Sequence, residues 1–504
     1  MTSLPTLLLS FAIIGAILTL ATKMAKKTDN TLWTFLQHFC GVWFIFSGLV
    51  KAIDPIGTAY KMEDYFAQFE STFEGLDNIF SGLAPLFPFL ASYSTGFSIF
   101  MIVLEIALGV MLMIGYRKKL TAWLFFLIVF FFTVLTGFTY LTGYVPSTAN
   151  FFDFGSWGPY IKTQMRVTDC GCFGDFIKLD PKVSFFKDLA LMVPALMFLL
   201  FTRNKHELFT KRQREIITAV TVFATLVFCY QNTYRNLPVV DFRPFNEGKD
   251  VRARKEVEEQ ARANMEILGW VLENEKTGEV TTFMEPVPGE YSYYKTYKKD
   301  EGWSVKEQIK TDPFIEENGK RVPITESKIS DFAIESMDNV EMTEDILAEE
   351  GYSLMIVAYH FYGERKMSEV TVQDTIYATD TIQVSTDSIR FEQRIESIQP
   401  KQIEREQFIP TDYYAGMFND KVKPLADAAQ AAGWKVYGLV TYSDRDNALD
   451  LGEQLNLGFP FYMGDDKLLK TIIRANPGVV VWKDGKIIAK YHHRHIPGFD
   501  QIRK

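Results

Sequence analysis

Six long apolar runs in the first 231 residues constrain this chain more than any other feature. A helix needs roughly 20 predominantly apolar residues to cross the hydrocarbon core of a bilayer, and each run is close to that length. The rest of the 504-residue chain is polar and rich in charged side chains, so a membrane part followed by a soluble part is predicted. The candidate spans cover about residues 4–22, 33–53, 95–115, 120–142, 185–202 and 215–231.

Basic residues between the spans predict an orientation. No Lys or Arg precedes the first span and three lysines follow it, the reverse of a signal peptide, so we predict an uncleaved helix. With six spans, three basic loops fall on one side, which the positive-inside rule assigns to the cytoplasm. We therefore predict a protein of the bacterial inner membrane, with its N-terminus and its C-terminal domain in the periplasm. The basic loops contain Lys23, Lys26 and Lys27; Arg117, Lys118 and Lys119; and Arg203, Lys205, Lys211, Arg212 and Arg214.

The outer loop between the fourth and fifth spans contains two cysteines that are candidates for catalysis. Cys170 and Cys172 are one residue apart and can close a small, strained disulfide ring, for which Gly171 provides the tight backbone. Strain raises the reduction potential, so such a pair tends to pass its disulfide on. The alternatives are a stable disulfide or a dithiol that only holds the loop. No metal site is predicted, because two thiols supply half of a zinc shell and the loop has no histidine.

Two aspartates flank the cysteine pair and act against its reactivity. Asp169 and Asp175 raise the pKa of a neighbouring thiol and so disfavour the thiolate. Either the pair works mainly in its oxidised form, or a nearby cation offsets the aspartates. The candidate cations are Lys162, Arg166 and Lys178.

Three motifs together resemble the MauE branch of the DoxX-like membrane proteins. The loop reads Cys-Gly-Cys-Phe-Gly and includes Phe173 and Gly174; residues 47–55 match the pattern Ser-Gly-x-x-Lys-x-x-Asp-Pro, and residues 105–115 form an acidic third-span pattern. The resemblance covers about residues 33–202. It implies redox work on thiols outside the cytoplasm, since MauE is implicated in forming disulfides in a partner enzyme subunit. DoxX-like relatives are linked to quinone or thiol metabolism, so a quinone is the candidate cofactor.

Ionisable residues near the membrane interior are further candidates, because a buried charge there costs ~2.5–3.5 kcal/mol on insertion scales. Glu105 is expected to face the bundle interior as a proton relay, as a polar wall for a quinone-like substrate, or as a clamp between helices. Lys51 and Asp54 are predicted to pair locally, with Lys51 also reaching towards Glu105. Cys229, at the outer end of the sixth span, is either a relay thiol or a small buried residue.

The polar half divides into two predicted domains. Residues 232–352 are expected to form a periplasmic α/β connecting domain with two hairpins, after the six-helix domain of residues 1–231. Residues 353–504 resemble a thioredoxin-like fold, in which Asn476, Pro477 and Gly478 match the cis-proline turn and form a candidate binding surface. No cysteine follows Cys229, so this domain cannot exchange dithiols and is predicted to bind a peptide or a partner.

Two functions from different classes are consistent with these features. The first is a membrane-bound thiol oxidoreductase or maturation factor that carries disulfides to a periplasmic protein partner. The second is a non-catalytic subunit or scaffold of a larger cell-envelope complex, anchored in the lipid membrane. The net charge of -9 argues against a nucleic-acid partner, because binding to nucleic acid depends on an excess of positive charge. His493 and His495 are predicted on one face of the last strand, and no carboxylate or cysteine completes a metal site there.

Overall fold

The structure is a computed structural model that describes residues 3–28, 30–76, 78–146, 149–158, 160–167, 171–201, 206–385 and 388–502. The chain forms two compact units. The first consists of Met1–Asn246 with Glu256–Glu326, and the second of Glu247–Lys255 with Ser327–Lys504. The long apolar helices belong to the first unit, and the largest β-sheet belongs to the second.

Within the described residues, six helices are long and apolar enough to cross a membrane. This confirms the predicted number of apolar helices and their approximate positions, and it is compatible with a membrane protein. The fifth and sixth begin earlier than predicted because polar residues form their first turns. These helices are α1 (Leu4–Met24), α2 (Thr31–Ile53), α5 (Ser94–Ile114), α6 (Lys118–Leu141), α7 (Pro181–Leu200) and α8 (Lys211–Tyr230).

Local capping determines where several of these helices begin and end. The Asp180 carboxylate accepts a hydrogen bond from the first turn of α7, and Pro181 supplies a preset helical φ at the first position. Thr210 and Gln213 form a capping box at the start of α8. Helix α5 ends at Gly115, whose φ of 70° lies in the left-handed region that favours glycine.

Helices α2 and α5 approach closely because glycines lie between them. A Cβ atom on Gly48 would lie 2.5 Å from Cγ1 of Ile106, and one on Gly109 would lie 2.8 Å from the carbonyl oxygen of Gly41. Small residues allow helix backbones to approach in this way inside membranes. The close packing places Lys51 of α2 opposite Glu105 of α5.

Two further helices pack on the bundle between α2 and α5. They are α3 (Pro55–Glu74) and α4 (Leu86–Ser92). The buried aromatic rings of Tyr65 and Phe66 pack in a cluster with α6, and the hydroxyl groups of Tyr65 and Thr139 are 2.8 Å apart. Helix α3 is therefore held against the bundle by aromatic packing.

The first unit also contains two small β-structures. Strands β1 (Ile267–Asn274), β2 (Val280–Met284) and β3 (Trp303–Lys310) form an antiparallel sheet with β1 in the centre. Strands β4 (Phe314–Glu317) and β5 (Lys320–Pro323) form a hairpin. Both hairpins predicted from turn signals are confirmed. Helix α9 (Val251–Ala263) precedes them.

The second unit contains a six-stranded mixed sheet with the order β13-β12-β7-β10-β11-β6. Strands β7, β10 and β11 are parallel, whereas β12, β13 and β6 each run antiparallel to their neighbours. Strand β7 is buried over nearly its whole length, as expected for a central strand covered on both faces. The strands are β6 (Ile334–Ser336), β7 (Tyr352–Ala358), β10 (Lys435–Thr441), β11 (Phe461–Gly464), β12 (Gly478–Lys483) and β13 (Lys486–His492).

Short helices connect these strands and fill the core. Tyr414, Phe418 and Val422 bury their side chains against the sheet from the segment before β10. The sheet also includes β6, which lies before residue 353, where the sequence placed the start of the last domain. The helices are α10 (Thr343–Leu347), α11 (Asp412–Met417), α12 (Lys423–Ala431), α13 (Arg445–Gln454), α14 (Asp466–Ile472) and α15 (Phe499–Ile502).

The polar segment after β7 is folded into regular β-structure. It forms a long two-stranded antiparallel ribbon of β8 (Gly363–Ser385) and β9 (Ser388–Pro410), with 23 residues in each strand. Its base is fixed because the Asp450 carboxylate of α13 accepts a hydrogen bond from the Phe408 backbone N–H. This ribbon was not predicted from the sequence, although apolar and polar residues alternate over part of β8, with apolar residues at Val370, Val372, Ile376, Ala378, Ile382 and Val384.

Candidate functional site in the helical bundle

The loop between α6 and α7 carries the cysteine motif. Asp169 and Cys170 lie outside the described residues, so the geometry begins at Gly171. Gly171 and Gly174 have φ values of 60° and 51°, and the N–H of Gly174 donates to the carbonyl oxygen of Gly171 over 3.1 Å. Both glycines thus occupy left-handed positions of a tight turn.

Aromatic side chains anchor this turn in the bundle. Phe173 is 1% exposed, and its ring centroid lies 6.1 Å from that of Phe46 in α2. The ring of Phe176 packs edge-on against the same phenylalanine at 5.7 Å. Phe173 is buried and Phe176 is partly buried, and they pack against α2 from either side of Gly174, so the backbone of Cys172 is held at the end of the helices.

Cys172 borders a cavity inside the bundle. About 40 Å³ is open to the centre of a water-sized sphere, which is enough for water molecules. The surrounding wall is largely aromatic and aliphatic, including Trp43 and Phe132. The polar side chains that line the cavity are Ser47, Lys51, Thr58, Lys61, Glu105, Thr136, Lys187 and Asp188.

A buried ion pair connects α2 and α5 at this cavity. The Lys51 ammonium lies 2.8 Å from a carboxylate oxygen of Glu105, and the two side chains are 6% and 3% exposed. The same ammonium donates to the Ser47 hydroxyl over 3.3 Å, and that hydroxyl donates to the Cys172 carbonyl oxygen over 3.0 Å. The reach of Lys51 towards Glu105 was predicted from the sequence and is confirmed. A chain of hydrogen bonds thus leads from the ion pair to the cysteine loop.

A second buried ion pair lies on α7. The Lys187 ammonium pairs with the Asp188 carboxylate, and the side chains are 7% and 4% exposed. Thr136 of α6 donates a hydrogen bond to the other carboxylate oxygen over 3.1 Å. The ammonium also lies 5.8 Å and 5.7 Å from the ring centroids of Trp43 and Phe173, within the range of cation–π attraction.

This second pair was not predicted from the sequence. Only Glu105 and Lys51 were considered as charges inside the spans, although Lys187 and Asp188 interrupt the apolar run of the fifth candidate span. That interruption was the available signal, because ionisable residues inside a membrane segment are functional candidates by default. Adjacent residues on a helix do not normally face each other, which makes such a pair hard to recognise.

The charges around Cys172 act on its thiol in opposite directions. Burial is the largest effect and raises the pKa of the Cys172 thiol. The Lys187 ammonium lowers this pKa, whereas the Asp188 carboxylate raises it. The arrangement therefore places a thiol, three ammonium groups and two carboxylates around one small cavity. Such groups can stabilise a thiolate and can hold or release the protons that accompany thiol oxidation.

The remaining charged candidates near the loop have local roles. Asp54 accepts a hydrogen bond from the Gly57 N–H over 2.9 Å and so caps α3. Asp175 lies 3.8 Å from the Lys178 ammonium, one of the cations considered as an offset for the aspartates. The Arg166 guanidinium instead donates to the Thr72 hydroxyl and to a backbone carbonyl oxygen of the neighbouring loop.

The other cysteine candidate lies away from this cavity. Cys229 is fully buried in an apolar cluster with Ala52, Ile102 and Ile106, and it does not line the cavity. Among the described cysteines, Cys40, Cys172 and Cys229, none forms a disulfide with another. The apolar environment of Cys229 corresponds to the second alternative for this residue, a small buried side chain.

The candidate binding turn lies in the second unit. The bond between Asn476 and Pro477 is cis, as predicted, and Gly478 begins β12. The Asn476 side chain accepts from the His360 N–H over 3.3 Å and also donates to the His360 carbonyl oxygen over 2.5 Å, which ties the turn to the end of β7. These contacts give the turn a defined conformation.

The prediction that His493 and His495 lie on one face of the last strand is wrong. Strand β13 ends at His492, and His493 to His495 form a 3₁₀ turn, so strand alternation does not place His493 and His495 on one face. Burial, followed by the neighbouring cationic groups, lowers the pKa of His492 to about 3 and that of His493 to about 4. Among the residues that the structure describes, no group of three or more His, Cys, Asp or Glu could hold a metal ion.

Comparisons with known proteins give no match to a family model, a curated protein or a solved structure. Its own fold and candidate site are therefore the features that characterise this chain. These define a bundle of apolar helices around a buried polar cavity, in a chain that also contains an α/β unit with a six-stranded sheet.

Proposed function

We propose that this chain is a membrane-bound thiol–disulfide redox or protein-maturation factor of the bacterial cell envelope. The observation that carries the proposal is the position of Cys172, on a cavity whose wall contains two buried ion pairs. Replacing buried ion pairs by well-packed apolar side chains is often neutral or stabilising, so packing alone does not require them. A reactive thiol that exchanges protons does require acids and bases nearby.

In this proposal the six apolar helices cross the inner membrane, and the cysteine loop faces the periplasm. The basic residues between the helices favour that orientation, because they cluster on the side opposite the loop. An oxidising compartment is where a disulfide carrier has thiols to oxidise. The resemblance to MauE-type, DoxX-like proteins supports the same location and the same chemistry.

The proposed reaction is exchange between the disulfide of Cys170 and Cys172 and two thiols of a partner protein. A partner thiolate attacks one sulfur atom, which breaks the internal bond and forms a mixed disulfide with the partner. The partner's second thiolate then releases the loop cysteine, so the partner gains a disulfide and the loop becomes a dithiol. Two electrons move to the loop cysteines, and two protons balance the new thiols.

The ion pairs have two roles in this scheme. Lys187 stabilises the thiolate form of Cys172, which is the better leaving group and the better nucleophile. Glu105 and Asp188 accept protons when the dithiol is reoxidised by a two-electron acceptor, for which a quinone is the candidate. The cavity has room for water and is lined by acidic and basic groups, so it would serve proton transfer, while a quinone would meet the thiols at the loop.

The α/β unit is proposed to be thioredoxin-like and to bind the partner protein. Its core strands have the order β10-β7-β12-β13. Strands β7 and β10 are parallel, and β12 runs antiparallel to both of its neighbours, which supports this assignment. It has no cysteine, so it cannot carry out the exchange itself. The turn at Asn476, Pro477 and Gly478 is the proposed contact surface for an extended segment of the partner.

Alkylation mapping in intact cells tests the proposal. A maleimide reagent should label Cys172 only after reduction, and the labelled fraction should change when the periplasm is made more reducing. The variant Cys170→Ser should accumulate a mixed disulfide between Cys172 and a partner, visible as a band that disappears on reduction. The control variant Cys40→Ser changes a buried cysteine of α2 and should leave both results unchanged.

The second candidate function is a non-catalytic membrane scaffold, favoured by the absence of cysteine from the α/β unit. In that case Cys170 and Cys172 only hold their loop. Their redox state would not respond to the periplasm, and replacing both by serine would leave the cellular function of the protein intact. Either of these two results would refute the redox proposal.

A further inference from the structure

A basic groove lies at the opposite end of the bundle from the cysteine loop. It is formed where α5 ends, α6 begins and α8 begins, and its volume is about 440 Å³. It is distinct from the cavity at Cys172, with which it shares no lining residue. The residues that line it are Gly115, Arg117, Lys118, Lys119, Leu120, Glu207 and Arg214.

The charges of the groove are strongly unequal. Four cationic side chains and one carboxylate line it, which leaves an excess of three positive charges. The carboxylate of Glu207 pairs with Lys118 over 3.1 Å and with Arg214 over 2.5 Å, and Arg214 also donates to the Gly115 carbonyl oxygen over 3.3 Å. This network is a framework that fixes the groove wall, while Arg117 and Lys119 add further positive charge.

An apolar stripe continues from the groove along α6. Its members recur at intervals of three and four residues, so they share one face of the helix. All are more than 40% exposed, and the 14 steps from the first member to the last, at about 1.5 Å each, make the stripe roughly 21 Å long. The stripe consists of Leu120, Trp123, Leu127, Phe130 and Val134.

We propose that this groove binds the phosphate headgroup of an anionic phospholipid, with an acyl chain lying along the α6 stripe. The inference goes beyond the redox proposal and rests only on the bundle spanning a membrane. Charge complementarity favours a phosphate group, since basic pockets between membrane helices bind anionic lipid headgroups. The groove is continuous with an exposed apolar surface through Leu120, which favours a lipid over a soluble phosphate compound.

Native mass spectrometry of the full-length protein in detergent provides the test. Phosphatidylglycerol and phosphatidylcholine of the same chain length are added at equal concentration, and the lipid-bound fractions are compared. The test variant Arg117→Asn/Lys119→Gln removes two cations and leaves the Glu207 framework in place. Asparagine is chosen because Arg117 has a φ of 41°, a conformation that asparagine tolerates. The control variant Lys23→Gln/Lys27→Gln removes two exposed cations beside α1.

The wild-type protein should prefer phosphatidylglycerol over phosphatidylcholine. In the test variant the ratio of the affinities for the two lipids should be roughly 30-fold lower. This corresponds to about 1 kcal/mol for each cation and 1.4 kcal/mol for each factor of ten. The control variant should keep the preference. Equal losses in both variants, or no loss in either, would overturn the proposal.

Two measurements on the wild-type protein keep the test decisive even if the test variant folds poorly. The preference for phosphatidylglycerol should fall as salt is raised from 50 to 300 mM, because partly exposed charges are screened. Glycerol phosphate at millimolar concentration should not remove the bound lipid. A salt-independent preference would contradict the proposal, and displacement by glycerol phosphate would indicate a site for a soluble phosphate compound instead.

Discussion

The buried pair of Lys51 and Glu105 allows a quantitative prediction from a double-mutant cycle. The variants are Lys51→Met, Glu105→Gln and the combination of the two. Each single change removes one charge and leaves its partner buried, whereas the double change leaves two neutral side chains of similar size. The matched control is Lys182→Met, which removes an exposed positive charge at the start of α7.

The expected loss of stability follows from the geometry. Opposite charges 2.8 Å apart attract by about 6 kcal/mol at an effective dielectric constant of 20, and the cost of desolvating both groups opposes this attraction. Removing one partner of a buried pair typically costs about 3–5 kcal/mol. After Glu105→Gln the ammonium keeps the Ser47 hydroxyl and the Phe132 ring at 4.6 Å, so the lower end of this range is expected.

The unfolding free energy in mixed detergent micelles is the quantity to measure, for example from tryptophan fluorescence as sodium dodecyl sulfate is increased. Each single variant should lose about 3 kcal/mol, and the double variant should lose at least about 2 kcal/mol less than the sum. Lys182→Met should stay within about 0.5 kcal/mol of the wild type. Single losses that add to within about 0.5 kcal/mol in the double variant would show that the two charges are not coupled.

Three further predictions concern packing, reactivity and pH. Gly48→Ala should cost about 1–3 kcal/mol because its Cβ would lie 2.5 Å from a side-chain carbon of α5, whereas Gly96→Ala, with open space around it, should be neutral or stabilising in the same assay. The Asp188 carboxylate raises the pKa of the Cys172 thiol, so Asp188→Asn should lower this pKa and speed alkylation of Cys172 at pH 8. An unchanged rate would contradict the proposed electrostatics. The pKa of His492 falls from 6.5 unfolded to about 3 folded, so its contribution to stability is complete above pH 6.5 and is lost as the pH falls towards 3. At pH 5 this loss is about 2 kcal/mol, and His492→Gln should therefore show a smaller drop in melting temperature between pH 7.5 and pH 5 than the wild type.

The sequence predicted the elements whose physics is local. Long apolar runs identified the six helices, and turn residues identified both hairpins of the first unit. The contact between Lys51 and Glu105 was also predictable, because a buried charge in an apolar helix must find a partner. In each case the signal is either a pattern within about 20 consecutive residues or a single charged group whose burial is unfavourable without a partner.

Other features depend on contacts that no local pattern encodes. Lys187 and Asp188 acquire their environment from Thr136, Trp43 and Phe173, which lie on three other segments of the chain. The ribbon of β8 and β9 pairs along its own length, and Asp374 and Asp380 interrupt the alternation of apolar residues that would otherwise mark β8 as a strand. The end of β13 at His492 depends on a change of backbone conformation that strand alternation does not predict.

The two ion pairs around Cys172 also suggest how stability and function can be separated. A bundle that needed only to pack would lose little if both members of a pair became apolar, since isosteric apolar replacements of buried pairs are often neutral or stabilising. A redox site would keep its fold in that variant and lose the groups that move protons and favour the thiolate. The combination Lys187→Met/Asp188→Leu should therefore retain a wild-type unfolding free energy to within about 1 kcal/mol while Cys172 no longer changes its redox state in cells. Normal cycling of Cys172 in a stable double variant would assign the pair to packing and would remove its role from the proposed mechanism.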